Sequence, residues 1–532
     1  MVTHYDLLSR GYFPTMLPPP FRTTSLASIA SSSWSSLPPN FRSTAKATRP
    51  TFHSMARPGV ASRRRLGIPN PIAQAALCKE LERHWTAIQA HTSKSPYSKS
   101  MPVVGGQAGR AVVPEHPQRA LTEVRARDRA TAKFVLRADI SRFYESIYSH
   151  SIPWAIHGKA LAKKQQDNKS LLGNLLDLRV RTGNDRQTVG IPIGPDSSLV
   201  IAEVLLTAAD IMLESRLPRL RGFRYVDDFE FCFTDRSDAE DALVVLQDVL
   251  SEFELALNPG KTTILETPLE LQAPWVHELA RFSIRTRPGG QATDIVAYFD
   301  RAISLARQYR QDHVLRYGVS RLRSVEAHSA NWPLLQSLLL QALAAEPATI
   351  YPVLEQFFTY RSRGLLPERR ALQRGLSELM TREARMGHGN EVAWAIWACI
   401  GLGLQIGATP AKAISSMRDS VVALLALHAQ RSGLVRTGLD TSTWRAHMNT
   451  PSLYGDLWLL SYEANVKHWL RSQGPRDHVD ADDNFAFLKR NGVHFYDVGR
   501  AVPMIPTVVA PSTGTAELFS LPPDNQELSP VS

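Results

Sequence analysis

Residues 225–228 read Tyr-Val-Asp-Asp, and they lie between an arginine-rich approach at residues 219–224 and the apolar run at residues 229–233. Two adjacent carboxylates flanked by β-forming residues predict a tight hairpin with an acidic turn. A divalent cation would neutralise such a turn, and a cation needs further oxygen ligands. We therefore expect the further ligands to come from other acidic residues at the ends of strands.

One such residue lies upstream of the turn. Residues 133–140 read Lys-Phe-Val-Leu-Arg-Ala-Asp-Ile, a short strand-like run that ends on Asp139 before the chain turns toward a helix. Asp139 and Asp227 are 88 residues apart, which is enough chain for adjacent strands of one sheet joined by helical crossovers. We expect Asp139, Asp227 and Asp228 to converge.

The strand-borne Asp139, the aromatic Tyr144 five residues later and the Tyr-x-Asp-Asp hairpin form the pattern of polymerase palms, and the tetrad resembles that of reverse transcriptases. Two Mg²⁺ ions held about 3.5–4 Å apart by such carboxylates can activate a 3′-hydroxyl and stabilise the leaving pyrophosphate. We predict Asp139 and Asp227 as shared ligands and Asp228 as an auxiliary ligand. Ile140 is included in the predicted metal-binding set. The alternative is a solvated Asp-Asp turn.

Further residues are predicted to contact the nucleotide or to assist the chemistry. In palm polymerases the position of Tyr144 lies under the sugar, so its ring predicts a preference for deoxynucleotides; the alternative is a core tyrosine. Gly190 and Gly194 belong to a Gly-Ile-Pro-Ile-Gly-Pro-Asp loop, where glycine lets a base or nucleotide approach the backbone. Lys261, after the helix predicted at residues 239–253, is a candidate general acid for pyrophosphate or an ordinary turn residue.

The positive charge of the chain is concentrated ahead of the Asp139 strand. The 532 residues carry a formal net charge of +11, and residues 42–133 contain 17 Lys or Arg against 5 Asp or Glu, a local net of +12. This excess favours a polyanionic partner. We predict that Arg63, Arg64 and Arg65 bind triphosphate or template phosphates. The alternative is an exposed charge run.

Composition sets the remaining expectations. Three cysteines exclude a disulfide framework and fit a reducing cytosol, so a cytoplasmic location is expected. No apolar run approaches the ~20 residues that cross a bilayer, so no membrane partner is expected. Pro and Ser at high density predict extended or disordered chain over residues 1–50, with its aromatics packed on a folded neighbour. Helix-like spacing without a strand signal predicts an all-α region after about residue 274, with one of its helices at residues 411–427. Asn70, followed by Pro71, is predicted to cap a helix over residues 72–85.

We therefore predict an α+β palm-and-fingers polymerase, shaped like a right hand as in reverse transcriptases, followed by an all-α C-terminal domain. The predicted parts are an N-terminal extended segment (1–55), basic fingers (56–135), a palm (136–270), the all-α domain (271–500) and a disordered tail (501–532).

Four motifs together resemble the bacterial reverse transcriptases of the abortive-infection and defence-associated unknown groups. They are the sequences at residues 65–71, 138–148, 190–196 and 225–228, and the resemblance covers about residues 56–270. The loop at residues 190–196 departs from the family, where it begins with a Gln-Gly pair. The resemblance implies an RNA-directed DNA polymerase with Mg²⁺, dNTPs and nucleic acid as partners, acting in antiphage defence. A partner protein or a second copy of the chain is left open.

Three alternatives follow. The family sometimes makes DNA without an ordinary template and primes it from a protein hydroxyl, which leaves template-independent or protein-primed synthesis open. A nucleic-acid-binding scaffold with a catalytically dead palm is a second alternative, and the intact Asp139, Asp227 and Asp228 oppose it. An RNA polymerase is disfavoured by Tyr144.

Overall fold

The computed structural model describes residues 1–32, 34–43, 46–56 and 63–500. The tail predicted to be disordered, residues 501–532, lies outside the described residues. The strands are β1 (Thr51–Ala56), β2 (Arg63–Ile68), β3 (Pro102–Val104), β4 (Val112–Pro114), β5 (Phe134–Asp139), β6 (Arg221–Tyr225), β7 (Asp228–Phe233) and β8 (Thr263–Glu266).

Strands β5 to β8 form the central sheet, which is antiparallel throughout, in the order β6-β7-β5-β8. The two strands predicted to be neighbours, β5 and β7, pair from Phe134 opposite Phe233 to Asp139 opposite Asp228. Apolar side chains such as Leu136 and Phe231 are fully buried, which fixes this register, since a one-residue slip would expose them. The register therefore also decides which residues meet at the end of the sheet.

The N-terminal half contributes the helices that surround this sheet. As predicted, Asn70 caps the helix that begins at Pro71, since its Oδ1 accepts a hydrogen bond from the Ile72 amide at 3.2 Å. The helices are α1 (His4–Ser9), α2 (Thr24–Ser32), α3 (Pro39–Ser43), α4 (Pro71–Arg83), α5 (Trp85–Thr92), α6 (Leu121–Asp128), α7 (Phe143–Ser146), α8 (Ser151–His157), α9 (Lys159–Lys164), α10 (Leu172–Gly183), α11 (Asp196–Arg216) and α12 (Arg236–Ser251).

The first 55 residues differ from the prediction of extended or disordered chain. They contain the helices α1, α2 and α3 and the strand β1. The predicted packing of the aromatic residues is confirmed, because Tyr12 is fully buried and its hydroxyl donates to the carbonyl of Pro69. The prediction was wrong because it rested on the density of Pro and Ser. The buried aromatic and leucine side chains provide enough apolar contact to order the segment.

The chain after β8 is helical, and its described residues 271–500 contain no strand, in agreement with the predicted all-α region. One predicted helix, residues 411–427, is in fact two, because Asp419 accepts hydrogen bonds from Val421 and Val422 and starts a new helix. The helices are α13 (Pro274–Arg281), α14 (Pro288–Gln308), α15 (Val314–Arg321), α16 (Trp332–Ala345), α17 (Ile350–Ser362), α18 (Arg369–Arg385), α19 (Gly389–Leu402), α20 (Ala408–Ser415), α21 (Ser420–Arg431), α22 (Ser442–Arg445), α23 (Trp458–Val466) and α24 (Asp483–Arg490).

The C-terminal helices hold the β1–β2 hairpin. His53 Nδ1 lies 2.8 Å from Asp419 Oδ2, and Trp458 Nε1 donates to the Ile68 carbonyl at 3.1 Å. The hairpin is therefore fixed from both strands by the helical region, so that the residues it carries have a defined direction. Within the described residues, no helix combines the length and the apolar character that crossing a membrane requires.

Candidate active site

The sheet register brings the three predicted aspartates together. Asp139, the last residue of β5, lies opposite Asp228, the first residue of β7. Asp227 occupies the preceding turn, and its carbonyl accepts a hydrogen bond from the Ile140 amide at 3.3 Å. Asp139 is 8% exposed, and Asp227 and Asp228 are half-buried. We call Asp139, Asp227 and Asp228 the carboxylate cluster.

Like charges that are removed from water raise each other's pKa. Partial burial and, next, the charge of Asp139 raise the pKa of Asp227 to about 7. Burial and the charges of Asp227 and Asp139 raise the pKa of Asp228 well above its ordinary value. Keeping these carboxylates ionised together therefore costs free energy, and a bound cation would remove that cost.

The donor set fits a hard divalent cation such as Mg²⁺, because carboxylate oxygens are the ligands that this ion prefers. Among the residues that the structure describes, no group of three or more His, Cys, Asp or Glu side chains is already arranged around a common point as a metal centre. Ile140 has a buried apolar side chain, so only its backbone carbonyl has the chemistry to ligate Mg²⁺.

The turn after α12 supports Asp139. Lys261 Nζ lies 3.5 Å from Asp139 Oδ1, and Asn258 Nδ2 donates to Asp139 Oδ2 at 3.2 Å. The Asn258 amide also donates to the Asp139 carbonyl at 2.7 Å. Lys261 is thus at the carboxylate cluster, and its role as general acid stays a prediction. Sequence reasoning missed Asn258, which the Asn-Pro-Gly-Lys sequence indicated only as a turn residue.

Tyr144 is half-buried beside the cluster. Burial and then the charge of Asp227 raise its pKa. The predicted glycine loop lies against the same segment, since the Ile191 amide donates to the Tyr144 carbonyl and the Gly190 amide to the Ile147 carbonyl, both at 2.8 Å. Gly190 has a φ of +88°, and a Cβ there would lie 3.1 Å from the Glu145 carbonyl oxygen. Glycine is therefore required at position 190 by the backbone.

Gly194 contacts the N-terminal segment instead. Its φ is +128°, and a Cβ would lie 2.7 Å from Cγ of Pro14. The Gly194 carbonyl accepts from Arg110, whose guanidinium also pairs with Asp196 at 2.6 Å. The C-terminal end of the loop is thus held by Pro14 and Arg110. The sequence did not predict these contacts.

The three predicted phosphate-binding arginines lie on β2 and point to different faces, as alternation along a strand requires. Arg63 pairs with Glu391 of α19 at 2.5 Å, and the exposed Arg65 lies over the Phe52 ring at 4.0 Å. Arg64 is buried, and its charge opposes the rise in the pKa of both Asp227 and Tyr144. The charge of Arg64 therefore acts on the cluster.

Comparison with known proteins agrees with this geometry. Residues 72–284 match the family model described as reverse transcriptase (RNA-dependent DNA polymerase). The matched range contains the central sheet, the three aspartates and Lys261. Residues 72–284 of the chain are therefore similar to a reverse transcriptase domain. No curated protein matches the chain.

Proposed function

We propose that this protein is an RNA-directed DNA polymerase that works by two-metal nucleotidyl transfer at the carboxylate cluster. The register that sets Asp139 opposite Asp228, with Asp227 in the adjoining turn, is the observation that carries the proposal. It provides three carboxylates at the end of one sheet, inside a domain that matches reverse transcriptases.

Each residue has a proposed role. Asp139 and Asp227 would hold both Mg²⁺ ions, Asp228 would add charge or a further oxygen, and Ile140 would offer its carbonyl. When bound, the two ions would make the 3′-hydroxyl more acidic and stabilise the leaving pyrophosphate. Asn258 orients the Asp139 carboxylate through the hydrogen bond to Oδ2.

The neighbouring side chains act on the nucleotide. Lys261, half-exposed and 3.5 Å from Asp139, would give a proton to departing pyrophosphate. The Tyr144 ring would exclude a 2′-hydroxyl, and Arg64 would balance the charge of the triphosphate. The predicted phosphate contacts of Arg63 and Arg65, and the predicted nucleotide contacts of Gly190 and Gly194, stay predictions.

The biological setting is also a proposal. The four motifs that resemble defence-associated reverse transcriptases favour a cytoplasmic enzyme acting against phage. The division at residues 55, 135, 270 and 500 is kept as the proposed domain organisation, with the all-α region holding the β1–β2 hairpin through contacts such as that of His53 with Asp419. A plaque assay on bacteria that express the wild type or the Asp227→Ala variant tests the defence role; equal plaque numbers would refute it.

Incorporation of labelled dNTPs in Mg²⁺ tests the enzymatic proposal. Wild type, Asp227→Ala and the control Asp241→Ala, which changes an exposed residue of α12, are compared on a primed RNA template. We expect the control to match wild type and Asp227→Ala to lose about a hundredfold or more, since a group that acts on transition-state charge is removed. Equal incorporation by wild type and Asp227→Ala would remove the metal-site assignment.

The same assay separates the alternatives. Strict dependence on added RNA supports the main proposal, whereas incorporation without any template supports template-independent synthesis. DNA covalently attached to the purified protein supports protein priming. Nucleic-acid binding by a wild type that incorporates nothing supports the inactive scaffold.

A further inference from the structure

The turn that carries Asp227 and Asp228 depends on an unfavourable backbone conformation. Val226 has a φ of +52°, in the left-handed region that a β-branched residue rarely adopts. Such a conformation is kept only when the surroundings fix it. The contacts of Val226 therefore bear on where the next two carboxylates point.

Both backbone polar groups of Val226 bond to side chains. Its amide donates to Ser100 Oγ at 2.7 Å, and its carbonyl accepts from Arg224 Nη1 at 2.9 Å. Ser100 and Arg224 are fully buried and Val226 is 1% exposed. Water is thus excluded as a substitute partner for the Val226 amide, and this amide would lose its partner if the Ser100 hydroxyl were removed.

The two partners of Val226 are held in turn by buried acids. Ser100 Oγ donates to Glu203 Oε1 at 2.7 Å, and Arg224 donates to Glu203 at 2.9 Å and to Asp210 at 2.7 Å. We call Arg224, Glu203 and Asp210 the arginine cage. All three side chains are fully buried.

The segment that carries Ser100 is also paired with β6. The Arg224 amide donates to the Tyr97 carbonyl at 2.9 Å, and the Lys99 amide donates to the Arg224 carbonyl at 2.8 Å. Residues 97–100 therefore follow β6 up to the turn as an added edge, and the position of Ser100 relative to Val226 is set by main-chain bonds on both sides.

We propose that Ser100 is a positioning residue of the catalytic turn: its hydroxyl bridges the Val226 amide and the Glu203 carboxylate, and it thereby fixes the direction in which Asp227 and Asp228 present their oxygens to the metal ions. This inference rests on the proposed function for the metal ions. Ser100 itself touches neither substrate nor metal and acts through the turn.

Ser98 provides a matched control. Its Oγ donates to the other oxygen of the same carboxylate, Glu203 Oε2, at 2.8 Å, and accepts from the Ser100 amide at 3.1 Å, whereas the hydroxyl that accepts from the Val226 amide is that of Ser100. Ser100→Ala and Ser98→Ala therefore each remove one hydroxyl from Glu203, but only Ser100→Ala removes the partner of the turn amide. Ser100→Thr keeps a hydroxyl and serves as the conservative variant.

Mn²⁺ binding, followed by electron paramagnetic resonance of the free ion, and dNTP incorporation are measured on the full chain. We expect Ser100→Ala to weaken Mn²⁺ binding about tenfold and to lower kcat about tenfold to a hundredfold, with the KM for dNTP within about twofold, because a small misplacement of catalytic groups slows chemistry more than binding. Ser98→Ala should stay within about twofold of wild type, and Ser100→Thr should recover most of the loss. Equal losses in Ser98→Ala and Ser100→Ala, or wild-type metal binding in Ser100→Ala, would overturn the proposal.

Hydrogen exchange on the wild type provides a test without any variant. Read at single residues by fragmentation in a mass spectrometer, the Val226 amide should exchange at least about a hundredfold more slowly than a free amide, since it opens only with its buried partner. Exchange at the free rate would overturn the proposal even if Ser100→Ala did not fold. If Asp227→Ala polymerises as wild type does, the proposed function fails, whereas slow exchange at Val226 would still show that the turn amide is held in the folded protein.

Discussion

The arginine cage and the carboxylate cluster meet at residues 224–228, yet they combine charges differently. The cage surrounds one guanidinium with two carboxylates, and although burial alone lowers the pKa of Arg224, the carboxylates of Asp210 and Glu203 raise it. The carboxylate cluster contains three acids, and burial with the charge of Asp139 raises the pKa of Asp227. The cage thus pairs each of its carboxylates with a guanidinium, whereas the cluster gathers three carboxylates, of which Asp139 lies beside Lys261.

This difference distinguishes a cluster that supports the backbone, the cage, from a cluster that would bind a ligand, the carboxylates. A buried charge with complete partners fixes the backbone around it, while like charges that are kept together stabilise nothing unless another molecule supplies the opposite charge. The Val226 turn joins the two, since its carbonyl is bound by Arg224 and its next residue is Asp227. Removing charge from the two clusters should therefore change stability in opposite directions.

The largest effect is expected for Arg224→Met. This change leaves Glu203 and Asp210 buried without their cation, and loss of one partner of a buried pair costs about 3–5 kcal/mol. Urea unfolding measures the free energy of unfolding. Arg221→Met, on the exposed end of β6, is the control and should cost below about 1 kcal/mol. A stability of Arg224→Met equal to that of the control would show that the cage is not a scaffold.

Asp228→Asn should have two opposite effects. Removing one like charge from the cluster is expected to raise the stability of the metal-free protein by about 1 kcal/mol, while dNTP incorporation falls about a hundredfold. Thermal unfolding in chelator and the incorporation assay measure both. Asp241→Asn, which changes an exposed acid, should alter neither. A destabilised but active Asp228→Asn would mean that Asp228 belongs to the scaffold.

The pH dependence of stability tests the same point. With a pKa of about 7 in the folded protein against 3.8 for the ordinary side chain, Asp227 binds a proton between about pH 4 and pH 7 that the unfolded chain has released. The free energy of unfolding should therefore fall as pH rises through that window and level off above it. Melting in chelator at pH 5, 6, 7 and 8 should show a decrease of a few degrees in wild type that is smaller in Asp227→Asn.

Adding Mg²⁺ should reverse this decrease. Because the ion competes with protons for the carboxylates, it should raise the melting temperature more at pH 8 than at pH 5. An equal rise at both values of pH, or identical pH profiles for wild type and Asp227→Asn, would contradict the assignment of the charge to this cluster.

The smallest effect is expected at the border of the cluster. Tyr144→Ala should reduce the preference for dNTP over the ribonucleotide about tenfold, because the ring proposed to exclude the 2′-hydroxyl is lost. Incorporation of the two nucleotides in competition gives the ratio. Tyr148→Ala is the control, since the Tyr148 ring packs on His150 and Trp154. Unchanged sugar selectivity in Tyr144→Ala would refute the gate.

Sequence patterns predicted an element correctly where all residues of the pattern lie within one short stretch of the chain. The run ending on Asp139, the hairpin at residues 225–228 and the Asn70-Pro71 helix start were each predicted with the correct element. They were predictable because alternation, turn chemistry and capping depend on residues only a few positions apart.

Other features depended on partners that are distant in the chain. Arg63, Arg64 and Arg65 are equivalent as a charge run, but in the folded chain Arg63 pairs with Glu391 of α19 while the charge of Arg64 acts on Asp227. Asn258 and Ser100 have no signature of their own, since a polar side chain in a turn or loop is common. Their roles arise from hydrogen bonds with residues distant in the chain, those of Asn258 with Asp139 and those of Ser100 with Val226 and Glu203.

The amino-acid sequence by itself determined that two acidic strand ends, a Tyr-x-Asp-Asp hairpin and a helical C-terminal half would be present, because these follow from local hydrogen bonding and apolar spacing. The tertiary structure decided which charges meet, since the pairing register of β5 with β7 and the burial of Arg224 against α11 bring together residues far apart in the chain. Burial removes water as a partner, so the position of each charge becomes a property of the fold rather than of the residue.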